Sequence, residues 1–567
     1  MVTVIERLEE RLHTALHNLG LPVDQTIQVV PVADTRFGDY QTNAGMVLAK
    51  ERKENPRSLA GRIAQALDVS GISEPPEVAG PGFINFRLER QFVAAQVIGA
   101  YAGERLGVSK TSDPKTLIVE FSSPNIAKPM HVGHIRSTVL GDVLARIARF
   151  VGHSVITDNH LGDWGTQFGK VIYGWKNLRD DDALASRPVG ELVRLYRAAD
   201  TATKGDPAVL EACRNELIKL QQGDSENIAI WEKCIELSKA EFADVYRILG
   251  VEFDQQLGES FYNPELSSVV ERLLKEGIAE VSEGAVVVWD RTLSDAPFMI
   301  RKSDGGFGYA TTDTATLEYR IRRWNPDGIW YVVGTPQQLH FQQLFSLARK
   351  LGMKSDLQHV EFGSILGEDR KLMRTRSGES VPLRELLDEA VTRAKALVVE
   401  KNPDLAREEV ERIGQIVGIG AIKYTELSQH RLTDYVFSWS KMLSFQGNTA
   451  PYLQNAYVRS RSIFRRLTEE FHPPPQIELG TPAEQKLAKK LLQFGEVVPA
   501  VLDGFRPNVL ANYLYELAAD YHVFYEQCPV LSAEADQRNQ RLLLSDLFAR
   551  TLKLGLHLLG IDVPERM

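Results

Sequence analysis

The run "TLIVEF" (residues 116–121) restricts the fold more than any other stretch of this chain. Its apolar side chains do not alternate with polar ones, so both faces of the strand must be covered, as in a parallel sheet flanked by helices. After the turn "SSPN" comes "HVGHIRSTVLGDVLARIARFVG", where Ile135, Val139, Val143 and Ile147 recur every four residues and Gly152 marks the stop. "SVIT" then reads as the next strand. Strand, helix, strand in this order is a βαβ unit. The chain returns to strands in "GAVVVWD", "IWYVVG" and "HVEFGSILG", with the helical pattern "TTDTATLEYRIRRW" between the first two, so the α/β domain is expected to run to about residue 380.

At 567 residues the chain is too long for one hydrophobic core, and several domains of roughly 100–200 residues each are expected. Residues 1–108 begin with a helical pattern in which Val4, Leu8, Leu12 and Leu16 lie four apart, followed by turn-rich segments and a strand after Gly-Pro-Gly that carries Phe83, Asn85 and Phe86. That is a small α+β domain. The sheet domain follows at 109–380, with a charge-laced helical insertion at about 175–250. Beyond it nearly everything is helical: a region at 381–446, then an α-helical bundle at 447–567 broken once by "HPPPQIELGTP".

Composition narrows the function. No apolar run approaches the roughly 20 residues of a membrane span, and the amphipathic start is unlike a signal or transit peptide. A cytoplasmic protein without a membrane partner is expected. Cys213, Cys234 and Cys528 lie far apart with no CxxC pair, so neither a disulfide framework nor a zinc site is supported, and they read as packing residues. A net charge of −9 argues against a generally nucleic-acid-coating surface and leaves room for a local basic groove.

A helix that begins straight after a parallel strand aims its N-terminal amides at whatever sits above the sheet, which favours a phosphate. His131 and His134 reinforce this, because imidazoles that donate hydrogen bonds to a pentacovalent phosphorus and its leaving pyrophosphate act mainly in the transition state. Gly133, lacking Cβ, lets an adenine ring approach the backbone. The pattern suits nucleotidyl transfer, although two histidines near a helix start can also simply cap or pack. Glu120 closes the apolar strand and needs a cationic partner if buried. Asp313 falls four residues after Tyr309 in "GYATTDTATLEYR", so the two face one direction. Carboxylates above the ends of different strands suit a ligand carrying an ammonium and a guanidinium, which points to arginine. A structural arginine or lysine beside Glu120, and a helix dipole beside Asp313, are the competing explanations.

"VEFSSPNIAKPMHVGHIRSTVLGDVLAR", "HLGDWGTQFG", "YATTDTAT", "QGNTAPYLQNAYVRSRSI" and "LLGIDVPERM" together resemble the arginyl-tRNA synthetases, class I aminoacyl-tRNA synthetases, over nearly the whole chain. The resemblance implies a Rossmann-type catalytic domain with insertions, an N-terminal α+β domain that contacts tRNA, a stem-contact region at 381–446 and a C-terminal anticodon-binding bundle. It implies an arginine pocket of Glu120, Asn125, His131, Tyr309, Asp313 and Gln337, with register open between Gln337 and Gln338. The family's KMSKS loop reads "DRKLMRTRSGES" here, so its second lysine falls on Thr375. Lys371, Arg374 and Arg376 are left as ATP-binding cations, and Lys128, just ahead of the HVGH box, is the implied replacement in catalysis. For tRNA, the resemblance implies Phe83 and Asn85 against a D-loop base, and Tyr452, Tyr457 and Arg459, within a run that also holds Arg461, Arg465 and Arg466, against the anticodon loop. Core packing for Phe83 and a solvated arginine face on that helix are the alternatives. Relatives often carry a tyrosine where Asn455 stands.

The expected reaction has two steps: arginine and ATP give arginyl-adenylate and pyrophosphate with Mg²⁺ on the phosphates, then the acyl group passes to the 2′-hydroxyl of the terminal adenosine of tRNA(Arg). The partners are tRNA(Arg), L-arginine and ATP, not DNA, and a monomer is expected. A small-molecule nucleotidyltransferase and a noncatalytic tRNA-binding scaffold are the two rivals from other classes.

Overall fold

The computed structural model describes residues 2–23, 27–32, 34–374 and 380–567, so Thr375 and Arg376 lie outside the described residues. It divides into two compact units.

One unit comprises Thr111–Ser444 with Leu558–Ile561. Its centre is a four-stranded parallel sheet in the order Asp356–His359, Gly328–Tyr331, Thr116–Glu120, Ser154–Asp158. The helix Val132–Phe150 connects the last two. It packs closely on the strand end, since a Cβ on Gly141 would come within 2.1 Å of the Phe121 ring. From Thr116–Glu120 the chain goes to one neighbour through this helix and to the other only after the helical insertion, so the order of strands reverses beside Glu120. Ligands bind at the carboxyl ends of strands at such a reversal. In register, Glu120 stands between Tyr331 and Asp158 there.

The strand expected in "GAVVVWD" is present, in a sheet of its own. "GAVVVWD" forms Ala285–Val288, which joins Glu280–Ser282 and Phe298–Arg301 in a separate antiparallel sheet. Periodicity alone does not say which sheet a short apolar run joins. The helical insertion is present as Asp181–Ser186, Pro188–Gly205, Pro207–Gln221 and Ser225–Leu249, the last capped by Asp224 and ended by Gly250 in the left-handed region. The helices Leu383–Lys401 and Arg407–Leu427 complete this unit.

The second unit joins Met1–Lys110 to Phe445–His557 and Asp562–Met567. Thr3 and Glu6 cap the helix Val4–Asn18 reciprocally, and Val4, Leu8, Leu12 and Leu16 are buried. A four-stranded antiparallel sheet follows, in the order Val29–Pro31, Tyr40–Thr42, Phe83–Phe86, Glu77–Ala79. The sequence pointed to two separate modules here, but the N-terminal and C-terminal segments share polar seams. Ile5 N–H and the Tyr40 hydroxyl donate to Glu496, and Lys489 pairs with Asp39 at 2.7 Å. Such long-range pairing has no signature in local sequence.

Candidate active site

The loop leaving Thr116–Glu120 is conformationally costly. Ser122, Ser123 and Ala127 have φ of 72°, 46° and 60°, a region non-glycine residues rarely occupy and which clusters at functional sites. Surrounding groups hold it: Ser122 N–H donates to Ser137 Oγ at 2.9 Å, Ser123 N–H to Asn159 Oδ1 at 3.1 Å, and Ala127 N–H to Ser238 Oγ at 3.0 Å. Asn125 is thereby presented on the exposed side.

His131 is the N-cap of the helix Val132–Phe150. Its Nδ1 accepts the Gly133 N–H at 3.1 Å, while His134 Nδ1 accepts the His131 N–H at 3.1 Å. His131 Nδ1 is thus an acceptor, and His134 Nδ1 lies between the His131 N–H at 3.1 Å and the His131 carbonyl at 3.3 Å; with both Nδ1 atoms accepting, the ring protons sit on Nε2 and are available to donate. Burial lowers the pKa of both rings, helped for His131 by the Lys128 charge, and His134 falls to about 3. The pair is therefore neutral at physiological pH. The two rings lie 4.1 Å apart, and a Cβ on Gly133 would meet His131 Cε1 at 2.8 Å. Gly133 is required by the imidazole itself. Capping and donation to a ligand coexist because they use different nitrogens.

Glu120, Asn125, Gly133, His134, Tyr309, Asp313 and Gln337 line one cleft of about 580 Å³ at the carboxyl ends of the parallel strands. Gln337 lines the cleft, whereas Gln338 begins the helix Gln338–Lys350. Glu120 has the internal partner that was the competing explanation: Arg320, fully buried, lies 2.6 Å from Glu120 and 2.8 Å from Asp158. Glu120 is thus both a structural anion and part of the cleft wall. Asp313 receives His340 Nε2 at 2.5 Å, with His160 4.0 Å away.

Among the lining residues that sequence reasoning missed are Glu259, His160 and His340. Burial, then the neighbouring carboxylates Asp313 and Asp163, push Glu259 up to about 8. Burial, Glu259 and Asp313 also raise the Tyr309 hydroxyl, keeping it a donor beside two acids. Glu259 is carried by a loop that Asp163 grips, accepting Ser260 N–H at 2.8 Å and Ser260 Oγ–H at 2.7 Å. His160 and Asp163 belong to the quoted block "HLGDWG", which gave a signal; Glu259 sits in "GESF", which gave none.

Lys371 and Arg374 do not line this cleft. They border a separate cavity of about 720 Å³ with Phe437 and Trp439. Lys128 is exposed ahead of His131. In the other unit, Phe83 is half-buried and Asn85 buried on the face of their strand opposite Ile84 and Phe86. Asn85 Oδ1 has no hydrogen-bond partner among the described residues. Tyr452 is half-exposed with its ring centroid 5.6 Å from that of Tyr515, and Arg459 lies over the Tyr525 ring at 5.5 Å. Tyr457 differs from the stacking expectation: it is only 5% exposed, packed inward on the helix Ala450–Arg465. Among the described residues no group of three metal-ligating side chains occurs, and no helix is long and apolar enough to cross a membrane. All three cysteines are free and buried.

The family model for the catalytic domain of class I tRNA synthetases (R) matches residues 96–439, that of the arginyl-tRNA synthetase N-terminal domain 6–88, and that of the DALR anticodon-binding domain 453–567. The arginine–tRNA ligase of Cellvibrio japonicus is 43% identical over the full length of both chains, and that of a Picosynechococcus species 44% over 95% of each. Among solved structures, the arginyl-tRNA synthetase of Plasmodium falciparum superposes with a TM-score of 0.86 at 29% identity over the whole of both chains. That of Thermus thermophilus gives 0.84 at 27%, over 99% of each.

Proposed function

The chain belongs to the arginyl-tRNA synthetase family, and from that premise we propose how its own residues perform the ATP-dependent ligation of arginine to tRNA. The guanidinium of L-arginine docks between Glu259 and Asp313, against Tyr309. Fork-shaped cations demand paired acceptors in fixed geometry, and Asp313 beside a Glu259 carboxyl that gives up its proton when a cation arrives meets that demand. Asn125, Gln337 and the wall around Glu120 orient the amino-acid end, so that the carboxylate faces the α-phosphorus of ATP. His134, which lines the cleft, stands at that junction, and His131, which does not line it, packs on His134 with ring centroids 4.1 Å apart.

The resulting arginyl-adenylate forms by attack of the arginine carboxylate on the α-phosphorus, with pyrophosphate leaving. His131 and His134 donate Nε2–H to the developing negative charge, as neutral donors at a helix N-terminus that already favours anions. Lys128 supplies positive charge beside His131, and Gly133 leaves room for the adenine. Lys371 and Arg374, with Arg376, hold the pyrophosphate end. Mg²⁺ enters with ATP to neutralise the phosphates; zinc has no part. The acyl group then passes to the terminal adenosine of tRNA(Arg). Phe83 and Asn85 contact an unpaired base of the tRNA, while Tyr452 and Arg459 face the anticodon loop; Tyr457 supports them from within. The division into residues 1–108, 109–380, 381–446 and 447–567 follows these tasks. The enzyme acts as a cytoplasmic monomer and does not bind DNA.

The observation that carries this reading is the cleft in which Glu259, Asp313 and Tyr309 share one volume with His134 and Gly133. The test is a charging assay with each amino acid, with and without tRNA. Arginine alone should be charged, and His134→Ala should retain tRNA binding while losing charging. Unchanged charging in that variant would remove the imidazoles from the mechanism.

A further inference from the structure

The segment bearing Lys371 and Arg374 is tied at both ends to the start of the His131 helix. Downstream the tie is backbone to backbone: Val132 N–H donates to Val381 O at 2.9 Å, and Leu383 N–H to Met130 O at 2.8 Å. Upstream, Ile365–Leu366 folds back on itself, with Gly367 N–H donating to Lys371 O at 2.8 Å and Met373 N–H to Ile365 O at 3.2 Å. The same two residues pair in parallel with Tyr435–Val436.

What holds Tyr435 is a buried side-chain device. Its hydroxyl donates to Glu426 Oε1 in the last turn of Arg407–Leu427, and Glu426 Oε2 lies 3.1 Å from Arg136 Nε. The Arg136 guanidinium also lies 5.4 Å from the centroid of the Tyr435 ring and donates from Nη1 to Thr433 O at 3.0 Å. Arg136 is two residues past His134, and its side chain and that of Glu426 are each 1% exposed. This ion pair is an inefficient way to stabilise a core. Arg136 Nη2 is buried without a hydrogen-bond partner, and apolar side chains of similar volume usually stabilise such a site as well or better. What the pair supplies that an apolar cluster does not is directional hydrogen bonds at its two ends, from Arg136 Nη1 to Thr433 O and from the Tyr435 hydroxyl to Glu426 Oε1, which fix the register of the elements they join.

We propose that Arg136, Glu426 and Tyr435 are positioning residues that set the register of the Lys371–Arg374 hairpin against His131 and His134, and so the placing of its cations on the pyrophosphate end of ATP. The proposal rests on the reading of that hairpin as the phosphate-binding loop. None of the three touches substrate.

The test is arginine-dependent ATP–pyrophosphate exchange by the full chain with tRNA present. Tyr435→Phe removes one hydroxyl from the device and should lower kcat about tenfold and raise the KM for ATP about threefold, the scale of a small misplacement. The KM for arginine should stay within about twofold, since the arginine pocket lies elsewhere in the cleft. The triple variant Arg136→Met, Glu426→Leu, Tyr435→Phe should match or exceed the thermal midpoint of the parent and yet remain slow, which a purely structural role does not allow. A stable triple variant, or Tyr435→Phe alone, with parental ATP kinetics overturns the proposal. Lys371→Ala with Arg374→Ala separates the two readings: if this pair slows exchange while Tyr435→Phe does not, the positioning role alone falls. If the pair leaves exchange unchanged, the loop reading falls and the positioning role with it.

Discussion

The two ends of the cleft handle charge in opposite ways. At the arginine end, acids are gathered where ionisation is unfavourable, and Glu259 is pushed up to about 8. At the phosphate end, His134 is driven down to about 3, so no cation is committed before ATP binds, and the basic residues wait on a separate hairpin. Burial favours the neutral form of Glu259 at one end and of His131 and His134 at the other. The difference lies in what restores charge: the substrate itself at the arginine end, a hairpin and Lys128 at the other. In the proposed reading, selectivity for a cationic side chain belongs to the sheet ends, while phosphate chemistry depends on a hairpin that must be held in register.

The largest break in this comparison should come from Asp313→Asn, which removes the acid that His340 orients at 2.5 Å. Taking one partner from a buried charge pair costs about 2–5 kcal/mol, so kcat/KM for arginine should fall on the order of 10³-fold with the KM for ATP nearly unmoved. Steady-state exchange kinetics with each substrate varied decides it. An equal loss in both substrates would mean that the two ends are not separate.

His134→Ala probes the other end. Removing one donor aimed at developing charge costs about 10²-fold or more in kcat, with little change in the KM for arginine. The cap on the His131 N–H goes too, so the thermal midpoint should fall by the equivalent of about 1 kcal/mol. Single-turnover adenylate formation separates the two effects.

The same division explains what could be read in advance. The phosphate end is one contiguous tetrapeptide between a buried strand and an amphipathic helix, so residue type, spacing and local structure coincide and His131, Gly133 and His134 are visible in the sequence. The arginine end draws on five segments far apart in the chain, around residues 120–125, 160–162, 259, 309–313 and 337–340. Asp313 and Tyr309 showed because they share one helix face. Glu259 did not, because its environment is made by Asp163 and Asp313 through folding, and nothing in "GESF" marks a carboxyl that resists ionising. Glu120 was visible as a costly charge, but its partner Arg320 lies 200 residues away. Likewise, the sheet followed from apolar runs, whereas the pairing of the N-terminal segment with the C-terminal helices rests on contacts such as Tyr40 with Glu496 that no periodicity encodes.

A smaller effect sharpens the acid end. Below about pH 8 the free enzyme holds Glu259 mostly protonated, and docking a guanidinium expels that proton. Affinity for arginine should therefore rise with pH, approaching about tenfold per unit, and level off above pH 8. The sign for folding is the reverse. A carboxyl whose folded value lies above its unfolded value contributes stability that is present at low pH and lost as pH rises through about 8, and bound arginine removes that loss. Calorimetry in buffers of different ionisation enthalpy should register close to one proton released per arginine at pH 7, and Glu259→Gln should abolish both the release and the slope. A flat profile in the parent would place Glu259 outside the guanidinium site.

The smallest effect is the most local. In Gly133→Ala the new Cβ meets His131 Cε1 at 2.8 Å and Nδ1 at 2.9 Å, closer than non-bonded atoms tolerate, so the ring must shift by a few tenths of an ångström while His134 keeps its place. Two consequences are separable. If the main cost is misaimed Nε2–H, kcat for exchange falls about threefold with the KM for ATP unchanged. If the methyl chiefly obstructs the adenine, the KM for ATP rises and kcat holds. The structure favours the first, because the clash is with the imidazole whether or not nucleotide is bound. In either case the arginine end should not respond, and its Kd measured without ATP should match the parent. A changed arginine Kd would show that the two ends share strain through the left-handed turn at Ser122 and Ser123, and that neutral imidazoles and reluctant acids are one device.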